Sequence, residues 1–224
     1  LAAVGILILI FALQIIVGAG LYDAGIVFNY GDPGATVIIV LAVGIVLTGV
    51  MHFTKLNYSE LFHSSKNSVA STVFVLTPPI FIFVLGALWW FVDFLTFINT
   101  FLPEDEQTIL YFKNLMNSGI GAVIAICIIA PFLEEMLFRG VILRGFLSHY
   151  SVKKSIVLSS LLFALYHLNL YQIPVAFFLG CFVGSLYYLT RSLWPSIITH
   201  ALYNGGVYLR SLNEVYEFSS VSTN

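Results

Sequence analysis

The chain has 224 residues, of which 59% are hydrophobic and only 9% charged. A water-soluble domain carries about 25% charged residues, so this composition excludes one and marks an integral membrane protein. The formal net charge is −2 and no basic stripe is present, so nothing offers a footprint for nucleic acid.

Apolar windows long enough to cross a bilayer predict an all-α, polytopic membrane helix bundle of about seven transmembrane helices, at roughly 1–20, 34–53, 69–95, 117–144, 154–169, 172–190 and 193–210. The first window lacks a basic flank and is long enough to span, so it reads as a helix rather than a signal peptide. Asp32-Pro33-Gly34 separates the first two helices, and the polar stretch from Asn57 to Ser68 separates the second from the third. Pro78-Pro79 is expected to kink the third helix. The acidic Pro103-Glu104-Asp105-Glu106 precedes the fourth, and Pro131 is expected to bend the fourth just before Glu134. Residues 1–116 thus form an N-terminal group of helices with no recognised motif. Residues 117–210 form a second group, and 211–224 a polar, mobile tail. Cys127 and Cys181 fall in apolar segments without ligand-like spacing and read as small buried hydrophobes.

Lys55 and Lys66 follow the second helix, Arg144, Lys153 and Lys154 the fourth, and Arg191 the sixth. If every helix spans, these basic connections share one side, which the positive-inside rule makes cytoplasmic. The N-terminus is then cytoplasmic too. At 1.5 Å rise per residue, Glu134 lies roughly 15 Å above Arg144, His167 roughly 20 Å above Lys154, and His200 roughly 13 Å above Arg191. Three helices therefore bring polar side chains to a similar level inside the membrane. Ionisable residues at that depth are costly and mark function or a specific partner.

Adjacent helical residues point about 100° apart, so Glu134 and Glu135 have different neighbours. Glu135 and Arg139 are spaced i, i+4 and are assigned to a structural ion pair. Glu134 then faces a cavity, where a carboxylate suits general-base work. The alternative is that both carboxylates only hold helices together. Phe163 and His167 share a helix face, which makes Phe163 a pocket wall and turns the His167 imidazole inward. His200 and Asn204 share another face and offer two donors to one point, as an oxyanion hole requires. An interhelical hydrogen-bond pair is the plainer reading of the same spacing.

Glu-Glu-x-x-x-Arg (Glu134, Glu135, Arg139), Phe-x-x-x-His (Phe163, His167) and His-x-x-x-Asn (His200, Asn204), in this order on successive apolar segments, resemble the CAAX protease and bacteriocin-processing (CPBP) family. That family includes the type II CAAX prenyl endopeptidases and the bacterial abortive-infection proteins. The resemblance makes residues 117–210 a catalytic helical core. It implies a glutamate-type intramembrane endopeptidase, with Glu134 and His167 activating a water and His200 and Asn204 stabilising the oxyanion. It also implies a multi-pass protein of a bacterial cell membrane. Its partners would be the lipid bilayer and a membrane-associated peptide or protein, either a prenylated CAAX peptide or a leader peptide. No cofactor is expected. Two histidines and a glutamate are also the donors of a zinc site with one open position, but His-Glu-x-x-His is missing and asparagine is a poor zinc ligand, so zinc stays the alternative. A non-catalytic scaffold or immunity protein would use the same cavity. A transporter would show repeat symmetry, and none is visible.

Overall fold

The computed structural model describes residues 1–29, 31–101 and 106–221. Pro103, Glu104 and Asp105 of the acidic connection, and the last three residues of the tail, lie outside the described residues. The first helix, α1 (Ala2–Asp23), is followed by a 3-10 turn at Pro33–Ala35, where the Asp32 carboxylate accepts the Gly34 N–H at 2.7 Å. That turn leads into α2 (Thr36–Thr54). A short α3 (Tyr58–Phe62) is capped by Asn57, whose side-chain oxygen accepts the Glu60 N–H at 2.8 Å. Then come α4 (Val69–Asn99) and α5 (Glu106–Met116), with Pro78 and Pro79 inside α4. The chain continues through α6 (Ile120–Leu147), α7 (Val152–Tyr166), α8 (Ile173–Thr190) and α9 (Trp194–Val221). No strand occurs among the described residues, only an isolated bridge between His63 and Ser192.

The fold is therefore an all-α membrane helix bundle. Five helices among the described residues are long and apolar enough to cross a membrane: Ala2–Asp23, Pro33–Thr54, Val69–Trp90, Ile120–Leu147 and Ile173–Thr190. The expected count of seven is not confirmed by length and composition. At 15 residues, α7 is shorter than the ~20 a span needs. α9 carries His200, Asn204 and Arg210. Two further differences concern segments read as connections or tail. α5 replaces part of the acidic connection, and the stretch from Asn213, expected to be a mobile tail, continues α9 as helix to Val221.

The outer face is apolar. Ile8, Ile15 and Ile16 of α1 and Phe74, Ile82 and Trp89 of α4 are exposed, as a lipid-facing surface requires. The interior holds one main packed cluster and smaller ones beside it. Ile10 of α1 and Val43 and Leu47 of α2 meet Leu137, Phe138 and Leu143 of α6, Phe163 of α7 and Tyr187 of α8. The motif-bearing helices thus share their core with α1 and α2.

Lipid tails supply little hydrophobic drive between helices, so close approach and interhelical hydrogen bonds hold such bundles. The contacts of α7 with α6 and α8 follow this logic. Ser155, Ser159 and Ser160 are buried on α7, and Ser159 Oγ donates to Phe138 O at 3.0 Å. At Gly180 of α8 a Cβ would meet Ser160 Cβ at 3.0 Å and Phe163 Cδ1 at 3.2 Å. Gly180→Val is expected to destabilise the bundle by about 1–3 kcal/mol through overpacking. A thermal melt in detergent checks this, and an unchanged midpoint would show that the helices can separate freely.

Candidate active site

The two glutamates occupy one α-wound turn, Ala130–Glu135, set between two π-wound stretches of α6, Ile124–Ile129 and Met136–Leu143. π-Winding is rare and often found at functional sites. Here it rotates the faces of α6 on either side of the glutamate turn. Glu135 is fully buried. Its Oε1 accepts from Arg139 Nη1 at 2.9 Å and from His200 Nδ1 at 2.9 Å. Arg139 Nη2 also donates to Gly180 O of α8 at 3.2 Å, and its Cζ stands 4.4 Å from the centre of the Phe163 ring. One carboxylate, one guanidinium, one imidazole and the Gly180 carbonyl therefore fix each other in the middle of the bundle. Glu135 Oε2 and Arg139 Nε are buried without a hydrogen-bond partner among the described residues.

Phe163 organises the histidines. Its ring meets that of His167 at 5.0 Å and that of His200 at 5.6 Å, both edge to face. His167 follows the last residue of α7, and its Nδ1 lies 3.0 Å from Phe163 O. A carbonyl only accepts, so this nitrogen carries the proton and Nε2 is left for the cavity. His200 lies between the two carboxylates. Its Nδ1 is bound to Glu135, and its Nε2 is 3.8 Å from Glu134 Oε2. Because Glu135 is an acceptor, Nδ1 of His200 is protonated, and Nε2 is the nitrogen turned toward Glu134.

Glu134 and His167 line a cavity of about 960 Å³, together with Tyr166, Asn169 and Gln172 and an apolar wall that includes Val43 and Leu133. The cavity sits between α1, α2, α6 and the α7–α8 connection, so α1 and α2, which carry no motif, close the site. Phe163, expected in the pocket wall, lies behind it. It is 1% exposed and does not border the cavity, because Arg139 and both imidazoles pack on its faces and edge. His200 and Asn204 were expected to aim at one point, but their bonds diverge. His200 goes to Glu135, and Asn204 Nδ2 donates to Ile126 O at 2.9 Å.

Sequence reasoning missed several participants. Glu135 was paired with Arg139 alone, and its bond to His200 spans 65 positions that no local spacing reveals. The Gly180 carbonyl carries no side-chain signal at all. Gln14 had one, as a lone amide in the apolar run of α1, and its Nε2 donates to the Tyr166 hydroxyl at 3.1 Å in the cavity wall. No group of three or more His, Cys, Asp or Glu among the described residues is arranged to hold a metal ion. Cys127 and Cys181 are not joined in a disulfide.

Residues 116–206 match the family described as type II CAAX prenyl endopeptidase Rce1-like. A curated relative, the membrane-embedded CAAX protease MroQ of Staphylococcus aureus, is 34% identical over 116 residues, which is 49% of this chain and 45% of that protein. The chain thus spans less than half the length of the curated relative it matches. No solved structure matches it. The matched stretch begins just before α6 and contains Glu134, Glu135, Arg139, Phe163, His167, His200 and Asn204. Over residues 116–206, which carry all three motifs, the chain is similar to the Rce1-like type II CAAX prenyl endopeptidases.

Proposed function

We propose that the protein is a glutamate-type intramembrane endopeptidase that hydrolyses a peptide bond of a membrane-associated substrate, a prenylated CAAX peptide or a leader peptide. The observation that carries this reading is the Glu134 carboxylate in the wall of the cavity that His167 also lines, 3.8 Å from His200 Nε2. A water held between Glu134 and His167 Nε2 gives a proton to Glu134 as its oxygen adds to the scissile carbonyl carbon. The negative charge that develops on the carbonyl oxygen is met by His200 Nε2, which donates there when it carries a proton. Asn204 uses one amide N–H on Ile126 O and offers the other to the same oxygen. Collapse of the tetrahedral intermediate breaks the C–N bond, and Glu134 returns its proton to the leaving amine. Glu135 and Arg139 hold His200 in place and take no part in the bond changes.

Arg144 Nη1 donates to Glu60 O at 3.0 Å, and Ser64 N to Arg191 O at 2.9 Å. The basic connections are thereby drawn to one end of the bundle, which supports a cytoplasmic position for that end and for the N-terminus.

The function is tested by offering the protein, reconstituted in liposomes, a farnesylated CAAX peptide and its unprenylated counterpart, with products read by mass spectrometry. Cleavage of either is expected, and no cleavage of any membrane-anchored peptide would overturn the function. The chemistry calls for no metal, so zinc chelators are expected to leave the rate unchanged. Stoichiometric zinc in the purified protein, with activity lost on its removal, would reverse that expectation and favour the zinc alternative.

A further inference from the structure

Asn204 has a second duty, which the winding of α6 explains. The Ala130 N–H donates to Ala125 O, the i to i+5 pattern of a π-wound turn. The next bond in that register would run from residue 131 to Ile126 O. Residue 131 is proline, which has no N–H to give. Ile126 O therefore has no partner in its own helix, at a depth where no lipid group can supply one. The side chain that reaches it is Asn204, whose Nδ2 donates to Ile126 O at 2.9 Å from α9, 78 positions away. The helices meet at this level, since a Cβ on Gly205 would stand 4.0 Å from Cys127 Sγ. Pro131 and Glu134 belong to the same short turn, Ala130–Glu135.

We propose that Asn204 is a positioning residue for Glu134. Its amide closes the gap that Pro131 leaves in α6, and so ties the glutamate turn to α9, which also carries His200. α9 then holds α6 at two places, through His200 on Glu135 and through Asn204 on Ile126 O. The distance between Glu134 and His200 is set by both. The inference rests on the hydrolytic role proposed for Glu134, and it differs from a donor role for Asn204 toward substrate in one respect. An alanine at position 131 restores an N–H for Ile126 O, which makes the Asn204 cap dispensable and leaves any contact with substrate untouched.

Wild type, Asn204→Ala, Pro131→Ala and the double variant decide it, each reconstituted in liposomes with a farnesylated CAAX peptide and each melted in detergent. Asn204→Ala is expected to lower kcat by about tenfold or more with KM within about twofold. In the Pro131→Ala background the same change is expected to cost less than about threefold, since the two positions are coupled. An equal loss in both backgrounds would overturn the cap and leave Asn204 acting on substrate alone. If the wild type cleaves no peptide, hydrolysis fails but the cap is still read from the melts. A drop in Tm for Asn204→Ala that Pro131→Ala removes supports it, and equal drops in both backgrounds contradict it. If Asn204→Ala does not fold, the double variant is expected to fold, and its failure would contradict the cap as well.

Discussion

Replacing Arg139 by leucine is expected to destabilise the protein by about 3–5 kcal/mol, the cost of leaving one partner of a buried pair uncompensated. Glu135 is fully buried, and its Oε1 would keep only His200 Nδ1. Gly180 O and the face of Phe163 would lose their partner at the same time. Lysine is a poor substitute, because it brings a point charge where a planar group joins a carboxylate, a carbonyl and a ring. Arg139→Lys is therefore expected to recover only part of the loss. Thermal unfolding in detergent reads both variants. A melting temperature for Arg139→Leu equal to that of wild type would show that Glu135 finds charge compensation elsewhere.

The sequence made the membrane class and the order of the polar positions legible, because ionisable residues stand out in a chain that is 9% charged. The same contrast drew attention to Glu134, Glu135 and Arg139. Spacing along one helix was informative where both partners sit on that helix, as with Glu135 and Arg139. It said nothing of π-winding, which is a choice among backbone hydrogen bonds that similar apolar residues allow equally. Only Pro131 hinted at it, and it was read as a bend. Spacing also could not show that His200 and Asn204, four residues apart on one face, would turn to different partners on α6. That depends on where another helix presents its carbonyls and carboxylates. Five helices among the described residues are long and apolar enough to span, which does not confirm the count of seven, since α7 has 15 residues and α9 carries His200, Asn204 and Arg210.

Glu134→Gln is expected to lower peptide hydrolysis by about 10²- to 10⁴-fold, the usual contribution of a positioned general base. Glutamine keeps the size and the hydrogen-bonding shape of the side chain but cannot take a proton from water. Stability is expected to change little, because Glu134 borders the cavity and the ring nitrogen facing it, His200 Nε2, is 3.8 Å away. Glu135 is the opposite case, since it is fully buried and anchored by two bonds at 2.9 Å. Neighbouring carboxylates of one turn are thus expected to separate cleanly, with Glu134 needed for turnover and Glu135 for the fold. The most direct measurement is the single-turnover rate of cleavage of a membrane-anchored peptide by wild type and by Glu134→Gln in matched liposomes, with folding of both confirmed by their melts. A folded Glu134→Gln protein with cleavage reduced at least about a hundredfold is the predicted result. Equal cleavage by the two proteins would contradict the assignment of the carboxylate that the whole mechanism turns on.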